Sequence, residues 1–151
     1  MSTQRMMDAF DFAKVKHKGQ LDDSGENYYS SHLFPVMEAV NVFTKDEDML
    51  IASLLHDTLE DTDTSYDELE IHFGKRVADL VLEVTHKGKK DGYGFYFPNL
   101  KTADGILIKL CDRASNISRM KPWSPKRRQH YIKKTKFWKD GSDRFDSQSH
   151  R

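Results

Sequence analysis

The sequence holds a single cysteine, Cys111. No disulfide can form within the chain, and a reducing compartment fits. It also has no net charge, because Lys+Arg and Asp+Glu both number 24. That balance argues against a dedicated nucleic-acid or membrane-surface protein, which would be basic overall. It leaves room for a local basic patch over a phosphate site. No apolar run approaches the ~20 residues of a membrane span. The opening Met1-Ser2-Thr3-Gln4-Arg5 has no signal-peptide core. Internal repeats, low-complexity segments and a convincing strand are absent as well. These absences predict a soluble, cytoplasmic single domain with neither a nucleic-acid nor a membrane partner. A chain of this length buries ~70% of its unfolded surface, so it needs neither disulfide nor metal merely to fold.

What is present is helical periodicity. Met6 to Lys18 reads as a helix with a basic end, Lys14, Lys16, His17 and Lys18, stopped by Gly19. Apolar positions 33, 36, 37, 40 and 43 predict a second helix with His32 at its start. Thr44 with Glu47 forms a capping box for a third, and Ser65 with Glu68 for a fourth that Gly74 stops. Lys75 to Thr85 continues at helical spacing. In Ala103 to Met120, the residues Ile106, Leu107, Leu110, Ala114, Ile117 and Met120 form the expected buried stripe. Ser124 caps a last helix, with Pro125 at its first position. The expected fold is all-α, a single bundle of about six to eight helices over residues 1–139. Residues 140–151 read as a polar, disordered tail. The stretch Gly92 to Asn99 is irregular and aromatic, and reads equally as a cover over a ligand or as rings packed on the helices.

The densest chemistry is Leu54-Leu55-His56-Asp57-Thr58-Leu59-Glu60-Asp61. An apolar segment delivers a His-Asp pair and then a Glu-Asp pair. Charges beside a hydrophobic core are costly unless paired or bound to a metal. On one helix, His56 and Glu60 would share a face, as would Asp57 and Asp61. A solvated helix end is the bland alternative, but carboxylates do not suit a helix C-terminal turn. The pair needs partners, and two other helices offer them: His32, and Asp112, which interrupts an apolar helix with Lys109 and Asn116 nearby. Two imidazoles and two carboxylates suit Mn, Fe, Co, Ni or Zn, and the lack of thiolates disfavours a structural zinc site. Water on such an ion is a nucleophile at neutral pH, and the ion polarises a phosphoryl oxygen. Glu60 and Asp61 are placed to orient or deprotonate that water.

His…His-Asp…Asp resembles the signature of HD-domain phosphohydrolases. The sequence is most similar to the (p)ppGpp hydrolase domain of RelA/SpoT enzymes and to the stand-alone small alarmone hydrolases. Phe12 to His17 resembles the family's basic opening helix, and Gly25 through Tyr29 to His32 its G-x-P-Y-x-x-H. Ala52 to Thr62 resembles A-x-L-L-H-D-x-x-E-D-T, and Ile108 to Ile117 resembles V-K-L-A-D-R/K-x-x-N. Phe73-Gly74 through Thr85 and Trp123-Ser124…Arg127…Tyr131 follow the same pattern. The resemblance implies a Mn²⁺-dependent enzyme removing the 3′-pyrophosphate of (p)ppGpp, with another divalent transition metal as the alternative. It assigns His32, His56, Asp57 and Asp112 to the metal, and Glu60 and Asp61 to the attacking water. Lys16, Lys109, Arg113, Asn116 and Tyr131 are assigned to a small phosphorylated nucleotide.

The chain departs from the family in its pocket segments. Lys16 stands where the family has arginine, which loses the planar fork. Leu33 replaces proline after the metal histidine, and the turn at Glu26-Asn27-Tyr28 carries an extra residue. The aromatic stretch Gly92 to Asn99 replaces a charged helix. Two other readings therefore stay open. One is an HD phosphohydrolase of a nucleoside monophosphate, NADPH or a cyclic nucleotide. The other is a non-catalytic nucleotide-binding or antitoxin module, against which Glu60 and Asp61 argue.

Overall fold

Thr3 starts the first helix: its hydroxyl accepts from the Met6 amide, and α1 runs Gln4–Lys16. Ala9 and Ala13 are fully buried, so their small side chains let α1 lie close on its neighbours. The structure, a computed structural model, describes residues 3–85, 100–120 and 122–134. The aromatic stretch Gly92 to Asn99, the boundary at 139 and the tail from Asp140 lie outside the described residues. Among the described residues there is no strand, only an isolated antiparallel bridge between Leu21 and Asn27. The all-α expectation holds. No described helix is long and apolar enough to cross a membrane.

The expected second helix starts differently. Residues Tyr29–Leu33 form one π turn, and α2 follows as Phe34–Phe43 with Pro35 in its first turn. A π turn is how a helix absorbs one extra residue, and such turns cluster at functional sites. The additional residue noted before His32 is taken up here, so Tyr28 and His32 still face the same interior.

The third helix, α3, runs Glu47–Leu54 and is capped by Asp46, whose carboxylate accepts from the Asp48 and Met49 amides. The expected cap, Thr44, instead accepts from the Asp46 amide. A carboxylate beats a hydroxyl there because it also pairs with Arg76, at 2.8 Å. The helix also ends earlier than expected. Leu55 and Asp57 leave helical geometry, with φ −100° at each, and α4 covers Thr58–Asp61. His56-Asp57 thus sits in a break between two helices rather than on one helix face. The Thr58 hydroxyl bonds the Leu55 carbonyl at 2.7 Å and fixes that break.

Ser65 caps α5, Tyr66–Phe73, by accepting from the Glu68 amide. Gly74, at φ 97°, is the hinge into α6, Lys75–Val84. A side chain there would be strained. Next, α7 runs Ala103–Ser118 with Thr102 as cap, and α8 runs Pro125–Lys134 behind Ser124. The core joins Val36 and Val40 of α2 to Ile51 and Leu54 of α3, Val77 and Val81 of α6, and Ile108 of α7. Each fully buried aliphatic side chain is worth roughly 1.5–3 kcal/mol of transfer free energy. Leu54 and Leu55, both fully buried, anchor the break that carries His56.

Most of the stripe expected on α7 is not the buried face, although Leu107 does pack against the core. Ile106, Leu110 and Ile117 are 37–40% exposed, and Ala114 is exposed. The inward face carries Gly105, Ile108, Lys109, Cys111, Asp112 and Arg113. Hydrophobicity alone would orient the helix the other way. Paired charges inside the site offset the burial of Lys109, Asp112 and Arg113.

Candidate active site

Four side chains from three parts of the chain converge behind the bundle's central cavity. His32 Nε2 lies 3.2 Å from His56 Nε2 and 3.0 Å from Asp112 Oδ1. His56 Nε2 lies 3.2 Å from both Asp57 Oδ2 and Asp112 Oδ1. His32 Nε2 and Asp57 Oδ2 are 3.6 Å apart. The donor atoms of His32, His56 and Asp57 all fall within 4.8 Å of one another. Both histidines are buried, and so is Asp112.

Each donor is held from behind. His56 Nδ1–H donates to the Ser53 carbonyl at 2.6 Å, which leaves the Nε2 lone pair facing the cluster. Tyr28 donates its hydroxyl to Asp57 Oδ2 at 2.5 Å, and its ring packs against His32 at a 40° tilt with centroids 5.2 Å apart. The Lys109 ammonium lies 3.1 Å from Asp112 Oδ2. His32 Nδ1 meets two groups at 2.9 Å, the Ser115 hydroxyl and the Arg119 guanidinium. The serine can accept a proton from Nδ1, whereas the guanidinium can only donate to it. Only the serine contact leaves the His32 Nε2 lone pair available to a metal.

The electrostatics follow from this crowding. Burial lowers the His56 pKa, but the charges of Asp57 and Asp112 outweigh this and hold it well above its usual value, so positive charge is favoured at this point. Burial likewise pushes Asp112 up, and Lys109 and His56 overcome it to hold the carboxyl well below the ordinary value. Asp57 is also lowered, against its burial, chiefly by His56. Burial and the Asp57 charge raise Tyr28, so its phenol stays protonated and donates. A cluster in which one buried and one partly buried carboxylate face two buried imidazole nitrogens at one point is satisfied by a cation there. The nitrogen-and-oxygen donor set fits a divalent transition ion.

In front of the cluster is a cavity of about 620 Å³. That volume is in the range of small-molecule sites. Of the expected residues, Glu60, Asp61, Lys109, Arg113, Asn116 and Tyr131 line it, with Asp57 and Asp112 at its floor. Enclosure and the Asp57 charge push Asp61 above the usual carboxylate value. Tyr131 accepts from Arg113 at 3.1 Å and from Asn116 at 2.6 Å, which ties α8 to α7. Lys109 turns to Asp112 and, at 3.4 Å, to the Val84 carbonyl. Lys16 stands apart from these, with its ammonium 3.2 Å from both Asp63 and Glu68.

Sequence reasoning did not single out Tyr28, Ser115 or Arg119. Tyr28 had a signal, since it precedes the extra residue that the π turn absorbs. Ser115 and Arg119 follow Asp112 by three and seven residues, so they share its helix face. The Ser53 carbonyl carries no side-chain signal at all.

An HD domain family model matches residues 9–93. The chain is 38% identical over 141 residues to a guanosine-3′,5′-bis(diphosphate) 3′-pyrophosphohydrolase of Aquifex aeolicus, covering 84% of this chain and 19% of that protein. It is 33% identical to the bifunctional (p)ppGpp synthase/hydrolase SpoT of Escherichia coli, covering 87% of this chain and 20% of that protein. The chain therefore spans about a fifth of the length of these two relatives. The human guanosine-3′,5′-bis(diphosphate) 3′-pyrophosphohydrolase MESH1 is 34% identical, with 85% of this chain and 79% of that protein covered. A solved structure, described as a metazoan ortholog of SpoT that hydrolyses ppGpp, superposes with a TM-score of 0.75. It is 27% identical, with 90% of this chain and 84% of that chain covered.

Proposed function

The chain belongs to the HD domain family, and from that premise we propose that it is a metal-dependent hydrolase of guanosine-3′,5′-bis(diphosphate), releasing the 3′-pyrophosphate. The observation that carries this is the convergence of His32, His56, Asp57 and Asp112 at the floor of a nucleotide-sized cavity. These four residues would hold the ion, and manganese is our assignment. A divalent ion bound there supplies positive charge that polarises a phosphoryl oxygen and acidifies water.

The chain's own residues do the rest. The Ser53 carbonyl keeps the proton of His56 on Nδ1. Tyr28 holds the cluster-facing oxygen of Asp57, Oδ2, and Lys109 the outer oxygen of Asp112, which fixes the direction of each carboxylate. Glu60 and Asp61, one helical turn beyond Asp57, take the proton from the attacking water. Water attacks the phosphorus attached to the ribose 3′ oxygen, that P–O bond breaks, and GDP and pyrophosphate leave. Arg113, Asn116 and Tyr131 form one hydrogen-bonded group lining the same cavity and would contact the nucleotide.

The test is pyrophosphate release from ppGpp with Mn²⁺ present and after chelation. GDP as the second product, lost on chelation, supports the reading. Orthophosphate from NADPH or from a nucleoside monophosphate, with ppGpp untouched, overturns the substrate and keeps the metal chemistry. Bound metal without hydrolysis of anything in that panel overturns the enzyme.

A further inference from the structure

The cavity's mouth is built differently from its floor. The segment Gln20 to Tyr28 folds over one side, and the end of α7 with α8 forms the other. Two ion pairs cross between them. Asp22 lies 3.3 Å from Arg119, and Asp23 lies 2.5 Å from Arg127. All four residues line the cavity. Of its lining cations, Lys109, Arg119 and Arg127 thus each face a carboxylate of the protein itself.

The two acids differ in what else they do. Asp22 also organises its loop, accepting from the Ser24 and Glu26 amides at 2.8 and 2.9 Å, and its side chain is almost fully buried. Asp23 is half-exposed, and Arg127 is the partner the structure gives it. Arg127 in turn sits over Trp123, its guanidinium carbon 3.9 Å from the ring centre, so the group is held at the mouth rather than swinging free. A planar guanidinium fixed on an aromatic face is a strong phosphate binder. Here a neighbouring carboxylate occupies it.

If the reacting phosphoryl group lies on the buried floor, the remaining charge of the substrate points toward this mouth. A phosphate arriving there must displace Asp23 from Arg127 and tolerate its negative charge. We propose that Asp23 is a specificity-determining residue: by holding Arg127, it discriminates against substrates with more phosphates on the end remote from the metal cluster. This rests on the proposed nucleotide hydrolysis and adds to it a limit on substrate charge. Among guanosine 3′-diphosphates, the chain then prefers a 5′-diphosphate over a 5′-triphosphate.

The experiment compares Asp23→Asn, Arg127→Gln and the double variant with the parent, all as the full metal-loaded chain. The readout is kcat/KM on the 5′-diphosphate and 5′-triphosphate compounds. Asp23→Asn should raise the triphosphate-to-diphosphate ratio by about two- to five-fold, the scale of one exposed ion pair. The change should fall in KM and shrink in high salt. In the Arg127→Gln background, Asp23→Asn should shift the ratio by less than about two-fold, since its partner is gone. An unchanged ratio in Asp23→Asn, or a full shift that survives without Arg127, overturns the proposal. Should the parent hydrolyse neither compound, the proposed activity falls by itself. Calorimetric binding of GDP and GTP to the metal-loaded chain then decides the matter. Asp23→Asn must tighten GTP more than GDP, and equal tightening or none overturns the role of Asp23.

Discussion

The Nε2 atoms of His32 and His56 face each other 3.2 Å apart, with Asp112 Oδ1 within 3.2 Å of both. Two ring nitrogens at that distance share at most one proton between them. The arrangement suits a shared cation better than a hydrogen bond. His32 comes from a π turn, His56 from a helix break and Asp112 from mid-helix, so three local irregularities or mismatches meet at one point.

Asp57→Ala removes one donor and leaves two imidazoles facing one carboxylate. Bound metal should fall by at least about a hundred-fold in affinity. Turnover should fall to background. Metal content by elemental analysis and pyrophosphate release check both. Full metal occupancy with full activity would take Asp57 out of the site.

Tyr28→Phe keeps the ring packed on His32 and removes only the hydrogen bond to Asp57 Oδ2. The carboxylate then loses its orienting donor. Metal affinity should weaken by about ten- to a hundred-fold, the usual scale for an outer partner of a ligand. Thermal stability in excess metal should stay within a few degrees of the parent. If metal titration curves for the two proteins superpose, Tyr28 does not hold Asp57 in place.

Glu60→Gln tests the other side of Asp57. The change is isosteric and leaves the four donors untouched, so metal should bind as before. Turnover should drop by about 10²–10⁴-fold, the range for removing a general base. Undiminished turnover would pass the role to Asp61, whose pKa is raised by enclosure and by Asp57.

The His-Asp and Glu-Asp pairs were legible in the sequence because charged residues behind Ile51 to Leu55 demand a partner. The caps at Ser65 and Ser124 were legible for the same kind of reason, since a hydroxyl before a helix start has one obvious use. The orientation of α7 was not. Its apolar stripe, Ile106, Leu110 and Ile117, points outward, and the charged face points in. Hydrophobic periodicity reports only which face is apolar, and here electrostatic pairing inside the site decided the rotation. The break at His56 was equally hidden, because Leu54 to Asp61 reads as continuous helix until the Thr58 hydroxyl is seen to bond Leu55.

Asp46 supports the site at a distance by capping α3, the helix that ends at the break. Burial raises its pKa, but the hydrogen bond and charge of Arg76, with the Asp48 and Met49 amides, outweigh that and lower it. A lowered folded-state pKa gives stability that is present above the unfolded value, ~3.9, and is lost as pH falls through the folded one. Asp46→Asn keeps a capping oxygen and removes the charge. The variant should melt about 1–4 °C below the parent at pH 7, since a partly exposed pair contributes under ~1 kcal/mol. The gap should close as both proteins are brought below the ordinary carboxylate range and through the lowered folded-state pKa of Asp46. A gap that is constant across that window would mean the Arg76 charge pairing contributes nothing.

Lys16 separates a structural from a substrate role. Its ammonium lies 3.2 Å from both Asp63 and Glu68, and 5.5 Å above the Phe12 ring. It thereby ties α1 to the start of α5. To reach a nucleotide it would have to leave two carboxylates. Lys16→Ala should therefore lower the melting temperature by about 1–4 °C, with kcat and KM both within about two-fold of the parent. Kinetics and a thermal melt on the same preparation decide it. A ten-fold rise in KM at an unchanged melting temperature would place the ammonium on the substrate and show that the two carboxylates release it during binding. A ten-fold loss in kcat at unchanged KM would instead give it a contact made only in the transition state.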